Sequence, residues 1–423
     1  MNISECDILR MGEDNSTADF NISSRNNRTR ALVFTSLGHL SNDLNLLLFS
    51  VLIVYYSKNY GISLSLLGGV AIIYNILSGL LSTPIGSYAD RTRRYRHLIA
   101  LGIALIGISA VSFALSFRFS GFILPLMIVS AVILGTGQAF YHPLGASVLR
   151  ITYEERTSTA LGINGSFGSV GRSILPIFLV PMIVLYGEFH TLLYLAGYLF
   201  VAAVIIFMGL GFMRAYEAIP VGQRREPTGH ENETGIEKYH SAIMILVLIV
   251  FVRSMFLTGT TTYISQYLVD RVHSDVVMSY IVTISFITAV VGQPVFGRIT
   301  ELKGGRFSIV LTTVFSTIFF ILFMLSGSNV VLDTITYASF VFMAFTGFPV
   351  LLGYVGQIVP RNVVTKSNGL VWGLGNTVGG GIGLAVMSLV LLRVTLLDTM
   401  WLMLIFAVAS SLLLPLLPKR VRK

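Results

Sequence analysis

The sequence predicts an all-α integral membrane protein: twelve transmembrane helices in two pseudo-symmetric six-helix bundles. Composition, the length of the apolar runs and the segregation of charge lead to that class. Of 423 residues, 54% are hydrophobic and only 12% are charged. A soluble domain carries about 25% charged residues, so a surface facing lipid accounts for the deficit. The apolar runs reach the length of about 20 residues that a helix needs to cross the hydrocarbon core. In lipid every backbone polar group must be bonded internally, which leaves helices and closed barrels. Barrel strands would alternate over about 10 residues, and these runs do not.

Residues 1–30 are rich in Asn, Ser and Arg and contain no apolar core before a small-residue cleavage site. They read as a disordered cytoplasmic tail and not as a signal peptide. An N-terminal bundle over 31–213 follows, with spans at 31–57, 64–88, 97–117, 121–149, 158–186 and 189–213. The hydrophilic stretch 214–239 reads as a cytoplasmic linker. A C-terminal bundle over 240–417 holds spans at 240–268, 276–299, 306–327, 333–359, 366–394 and 397–417, and 418–423 is a basic cytoplasmic tail.

Charge sets the expected orientation. With both termini and the linker inside, 23 of the 29 lysines and arginines fall in cytoplasmic segments. Lys58, Arg118, Arg271 and Arg393 fall outside, and Arg172 and Arg253 lie within spans. That bias is an orientation signal. It explains the net charge of +9 without nucleic acid, so no nucleic-acid partner is expected. The single cysteine, Cys6, excludes a disulfide framework within the chain.

The halves resemble each other at an offset near 210. Gly86-Ser87-Tyr88-Ala89-Asp90 ends span 2, and Gly297-Arg298-Ile299-Thr300-Glu301 ends span 8. Tyr56 matches Tyr267, and Gly137 matches Gly347. Parallel halves of this kind suit rocking about a site near the membrane midplane.

The run Gly86-Ser-Tyr-Ala-Asp90-Arg91-Thr-Arg93-Arg94-Tyr-Arg96 resembles the loop 2–3 signature of the major facilitator superfamily. Its small Gly86 lets two helices approach closely. Asp90 at the membrane edge suits a bond made in one conformational state only. The resemblance implies a gate of Gly86, Asp90, Arg91 and Arg94, repeated in weaker form at Gly297 and Glu301. Arg93, Arg94 and Arg96 also fit the plainer role of positive-inside anchors. The family has glycine where Arg93 stands, as the second copy does at Gly304. Three further motifs resemble the fosmidomycin-resistance-type exporters. These are His39-Leu-Ser-Asn42-Asp43-Leu, Gly135-Thr-Gly137-Gln-Ala-Phe-Tyr-His142-Pro143, and Arg253-Ser254 followed by Gly259 and Tyr263 through Tyr267. Arg172-Ser173 stands where those exporters carry a glycine-proline turn, which leaves the substrate open.

An ionisable residue at mid-bilayer costs about 2.5–3.5 kcal/mol on insertion scales, so those that remain are site candidates. Asp43 is the one deep acid, and Arg172 and Arg253 are the deep bases. His39 and Asp43, four apart, share a helix face. The repeat sets Arg253 opposite Asn42 and Asp43, so an Asp43–Arg253 pair is expected, either as a proton-controlled switch or as a permanent structural pair. Arg172, beside Asn164 on the glycine-rich span 5, suits an anionic substrate group or a structural partnership. His142 precedes Pro143, which is expected to break span 4 locally. Tyr263 and Gln266 are further candidates for the substrate path.

No phosphate-binding loop, paired-cysteine site, H-E-x-x-H motif or nucleophile elbow is present, so neither an ATP-driven pump nor an enzyme is expected, and no metal or cofactor. The expectation is a secondary active transporter, a proton-coupled exporter of a small, anionic drug or metabolite, driven by the proton gradient. Symport uptake of an organic anion is the second reading, and a non-transporting receptor or membrane enzyme on the same fold is the rival of another class. The expected partners are a small-molecule substrate and the lipid bilayer of the inner or plasma membrane, with the protein acting as a monomer.

Overall fold

A computed structural model describes residues 22–218, 239–360 and 364–417. Among them, 11 helical stretches are long and apolar enough to cross a membrane. One of these, Thr159–Glu217, has 59 residues. An unbroken helix of that length would run about 90 Å, three times the hydrocarbon thickness of about 30 Å. Gly187 breaks it, with φ 76° and ψ 165°. That backbone region is essentially reserved for glycine, and it turns the chain back into the membrane. Among the described residues the crossings therefore number twelve.

Span 1 consists of two helices, Arg25–Leu44 and Leu48–Tyr60. Spans 2, 3 and 4 are Leu64–Thr92, Tyr95–Arg118 and Ile123–Tyr153. Spans 5 and 6 share Thr157–Gly209 on either side of Gly187, and a short helix, Met213–Glu217, follows. Spans 7, 8 and 9 are His240–Val272, Asp275–Lys303 and Gly305–Leu325. Span 10 is split into Val330–Ala344 and Gly347–Ile358. Span 11 runs through Val364–Leu370, a π-helical segment Val371–Val378, and Gly379–Val390, and span 12 is Leu396–Leu412.

Two differences from the sequence expectation stand out. The first helix starts at Arg25, inside the stretch expected to be tail, because Ser24 caps it by accepting the Asn27 N–H at 3.3 Å. Residues 1–21 of that tail, most of the linker and the basic C-terminal tail lie outside the described residues. Pro143 does not break span 4, whose helix is continuous through it. A proline in lipid is tolerated where neighbours satisfy the freed carbonyls. The breaks fall at residues 45–47 of span 1 and 345–346 of span 10.

Helix starts repeat between the halves. Ser63 accepts the Leu66 N–H at the start of span 2, and Ser274 accepts the Val277 N–H at the start of span 8. Close approach also repeats. A Cβ on Gly86 would lie 3.5 Å from Pro143 Cβ, and one on Gly297 would lie 3.8 Å from Pro349 Cβ. Span 2 thus leans on span 4 as span 8 leans on span 10.

Between spans 1–6 and spans 7–12, span 1 packs on span 7, span 2 on span 11, and the stretch Thr157–Gly209 on span 8. Polar bonds between these sets gather toward the end that carries Ser63 and Ser274. Tyr263 OH donates to the Leu64 carbonyl at 3.0 Å, and Ser65 Oγ to the Ser388 carbonyl at 2.7 Å. Ser50 and Ser265 hydroxyls lie 3.0 Å apart, and Lys58 Nζ lies 3.4 Å from Asp275 Oδ2.

Candidate functional site

Asp43 sits about midway along span 1, at the last turn before its break, and is 7% exposed. Four side chains converge on its carboxylate. His39 Nε2 is 3.4 Å from Oδ2, Arg172 Nε is 3.4 Å from Oδ2, His142 Nε2 is 3.5 Å from Oδ1, and Asn42 Nδ2 donates to Oδ1 at 3.0 Å. Thr35, His39 and Asp43 are spaced by four residues and so line one face of span 1. Span 4 contributes Tyr141 and His142, and span 5 contributes Asn164 and Arg172. Gly168 makes room for this convergence: a Cβ there would lie 2.9 Å from Asp43 Oδ2 and closer still to the His39 ring. Span 5 can press on span 1 only because that side chain is absent.

The hydrogen bonds behind the carboxylate decide what His39 presents to it. Tyr141 OH has one proton, and the Thr35 carbonyl at 2.6 Å takes it. Asn164 Nδ2 then donates to Tyr141 oxygen at 3.0 Å and to Thr35 Oγ1 at 3.2 Å. That orientation, assigned from the network, leaves Asn164 Oδ1 as acceptor for His39 Nδ1–H at 2.8 Å. A neutral imidazole carries one N–H. His39 therefore turns its Nε2 lone pair toward Asp43 Oδ2, and two acceptors face each other. One proton placed between them converts the repulsion into a charge-assisted bond.

His142 is the exposed member of the group, with its side chain 51% exposed, against 18% for Arg172 and 12% for His39. Arg172 also donates from Nη2 to Ser169 Oγ at 3.1 Å.

Six of the sequence candidates (His39, Asn42, Asp43, His142, Asn164 and Arg172) thus form one network. Arg253 does not join it. Among the described residues the arginine partner of Asp43 is Arg172, and Arg253 Nη2 donates to the Ala344 carbonyl at 2.9 Å. The expected pairing is replaced because span 5 reaches span 1 within the same bundle. Tyr263 and Gln266 also bond elsewhere: Tyr263 spans the two sets of helices, and Gln266 Nε2 donates to Asp270 Oδ1 at 2.7 Å. Thr35 and Ser41 escaped the sequence reading. Thr35 was legible as the residue four before His39, whereas the Ser41–Tyr198 contact at 3.0 Å leaves no local signal.

At the loop between spans 2 and 3, Asp90 accepts Tyr95 OH at 2.8 Å, so its bond lies within its own half. Arg91 and Arg94 are exposed. Arg93 is buried with φ 57°, and its guanidinium lies 4.6 Å from the ring centre of Tyr216. Gly304, its counterpart, has φ 90°. The loop turns through the left-handed region in both copies, which is why glycine suits this position. Arg96, 6% exposed, pairs with Glu217 at 3.3 Å. Glu301 pairs with Arg298 on its own helix at 3.3 Å, and both are exposed.

A family model described as Major Facilitator Superfamily matches residues 35–384. The chain belongs to the major facilitator superfamily. Proteins of this superfamily are membrane transporters and not enzymes, and this chain is a multi-pass secondary transporter of small molecules. The Fosmidomycin resistance protein of Escherichia coli is 23% identical over 361 residues, covering 84% of each chain. The uncharacterized MFS-type transporter YfnC of Bacillus subtilis is also 23% identical, over 355 residues, covering 81% of this chain and 83% of that one. Two crystal structures of a bacterial homolog of the human lysosomal transporter Spinster share the fold at 15% identity. The inward-facing unoccupied form has a TM-score of 0.72 and the inward-facing occupied form 0.68, each covering 93% of this chain and 97% of that one.

Proposed function

We propose that this transporter couples proton entry to the export of a small anionic molecule, working as a monomer in the inner or plasma membrane with both termini in the cytoplasm. The His39–Asp43 pair carries the reading: two acceptor atoms 3.4 Å apart at mid-span, with Arg172 competing for the same carboxylate oxygen. A proton arriving at this pair weakens the hold of Asp43 on Arg172, and its departure restores it. That difference between the two protonation states lets a proton bias a conformational equilibrium. His142, the exposed member, is the proton's way in and out.

The anionic substrate class follows from two deep arginines against one deep acid, since Asp333 and Arg271 pair and cancel, which leaves a net positive interior. The resemblance to a protein named for fosmidomycin resistance supports export. With the basic loops in the cytoplasm, the hydrogen-bonded end of the bundle is the outward one. The loop residues Gly86, Asp90, Arg91 and Arg94, with Gly297 and Glu301, then serve as the inner gate.

Reconstituted protein tests the coupling. In liposomes with an imposed pH gradient, the wild type moves fosmidomycin against its own gradient, and Asp43→Asn retains exchange at equilibrium but loses gradient-driven accumulation. Full accumulation by Asp43→Asn removes the proposal. Reversing the pH gradient distinguishes export by antiport from uptake by symport.

A further inference from the structure

Among the described residues, the second bundle holds a buried cation that no acidic side chain neutralises; its one side-chain bond, to the Ala344 carbonyl, reaches the C-terminal end of a helix. Arg253, on span 7, is 7% exposed, and no acidic side chain pairs with it among the described residues. A guanidinium has five N–H donors. Nη2 donates to the Ala344 carbonyl, while Nε is buried without a partner. An isolated buried charge is costly to leave uncompensated.

What lies around it is not a random stretch of helix. Ala344 ends the first helix of span 10, and Gly347 begins the second. A Cβ on Gly347 would lie 3.3 Å from Arg253 Nη1, so the guanidinium borders the first turn of the 12-residue helix Gly347–Ile358. Thr346, at the cap position, supplies no side-chain hydrogen bond to that turn. The start of a helix carries unbonded N–H groups and about half a positive charge. A cation thus lies beside a helix N-terminus, and both are stabilised by an anion. Gln293 Nε2 donates to the Phe345 carbonyl at 3.0 Å, which takes one competing acceptor out of the break. On the other side of span 7, Ser254 Oγ donates to Asn376 Oδ1 at 3.0 Å, within the π-helical segment of span 11.

We infer that Arg253 and the first turn of Gly347–Ile358 form an oxyanion subsite that takes the phosphonate, phosphate or similarly charged group of the transported molecule. The assignment rests on the transport reading above but places the anion in the bundle opposite the proton-binding pair. Arg172, already engaged by Asp43, is not the anchor. The two functions then sit on separate bundles, and they meet only through the motion of one against the other.

Full-length protein in lipid nanodiscs, titrated with methylphosphonate or inorganic phosphate, tests this. The control is sodium chloride at matched ionic strength. Bound anion raises the melting temperature of the native state. The expected result is a saturable rise for the wild type and for Arg172→Gln, and none for Arg253→Gln. Arg253→Lys keeps the charge but loses the planar fork, so its apparent Kd rises about tenfold or more. It also decides the matter if Arg253→Gln does not fold. Three results overturn the inference: no anion-specific rise in the wild type, an unchanged Kd in Arg253→Lys, or loss of the rise in Arg172→Gln alone. None of these alters the result with Asp43→Asn, so failure here is separable from failure of proton coupling.

Discussion

At Asp43 two histidines, an arginine and an amide surround one carboxylate. Asp333 shows the structural counterpart of such a site. It is fully buried at 0% exposure, pairs with Arg271 Nη2 at 3.2 Å and accepts Ser326 Oγ at 2.6 Å. Arg271 in turn lies against the rings of Tyr267 and Phe323 and donates to the carbonyls of Phe323 and Gly327. Here the contacts tie span 7 to spans 9 and 10, and among the described residues no histidine pairs with Asp333. Removing one partner of a buried pair costs about 3–5 kcal/mol. Arg271→Gln is therefore expected to lower the melting temperature sharply, and Asp333→Asn to lower it less, because two carbonyls and two rings still hold the guanidinium. Equal losses would mean that the charge itself matters little. The contrast also marks what was legible from sequence. Asp43, His39, His142 and Arg172 stood out because charged or polar groups inside apolar runs are rare. Arg253 stood out for the same reason. Its partner could not be read, because a repeat alignment gives equivalent depth and leaves open which neighbouring helix a guanidinium reaches.

At the scale of elements, apolar length located every crossing, but the breaks followed a different logic. Pro143 marks a break by its chemistry, yet the helix runs through it, while span 1 breaks at residues 45–47 with no proline or glycine. There Asn45 Nδ2 donates to the Ser41 carbonyl at 2.8 Å, and its N–H reaches the Asn42 and Asp43 carbonyls. Local side-chain bonds of this kind compete with the helix ladder, and nothing in the periodicity of the run announces them. Gly187 is the opposite case, a break that one residue type permits. No atom lies near its missing Cβ, so a substitution acts through the backbone alone. Gly187→Ala is expected to cost about 1–3 kcal/mol. Gly197→Ala, on the same stretch and also in open space, is expected to gain up to about 1 kcal/mol from helix propensity. Thermal unfolding of the two variants beside the wild type checks the opposite signs, and a drop in both would point to a packing role for these glycines.

For the molecule as a whole, the polar bonds between spans 1–6 and spans 7–12 form a latch at one end. Gly68 sits under it: a Cβ there would run into the Tyr263 hydroxyl and Ser388 Oγ. Gly68→Ala is expected to hold that end apart and shift the population toward the alternate state. Spin labels on cysteines at Ile62 and Val276, with Cys6 replaced, read this as a longer distance; an unchanged distance means that the latch accommodates the methyl group. The contacts of Gly86 on Pro143 and of Gly297 on Pro349 bear on the same motion. Each joins a residue without a side chain to a ring without an N–H. Such a seam works as a bearing: its two surfaces can slide with no hydrogen bond to break and remake at that point, so each bundle can flex there at little cost while its polar fastenings stay in place.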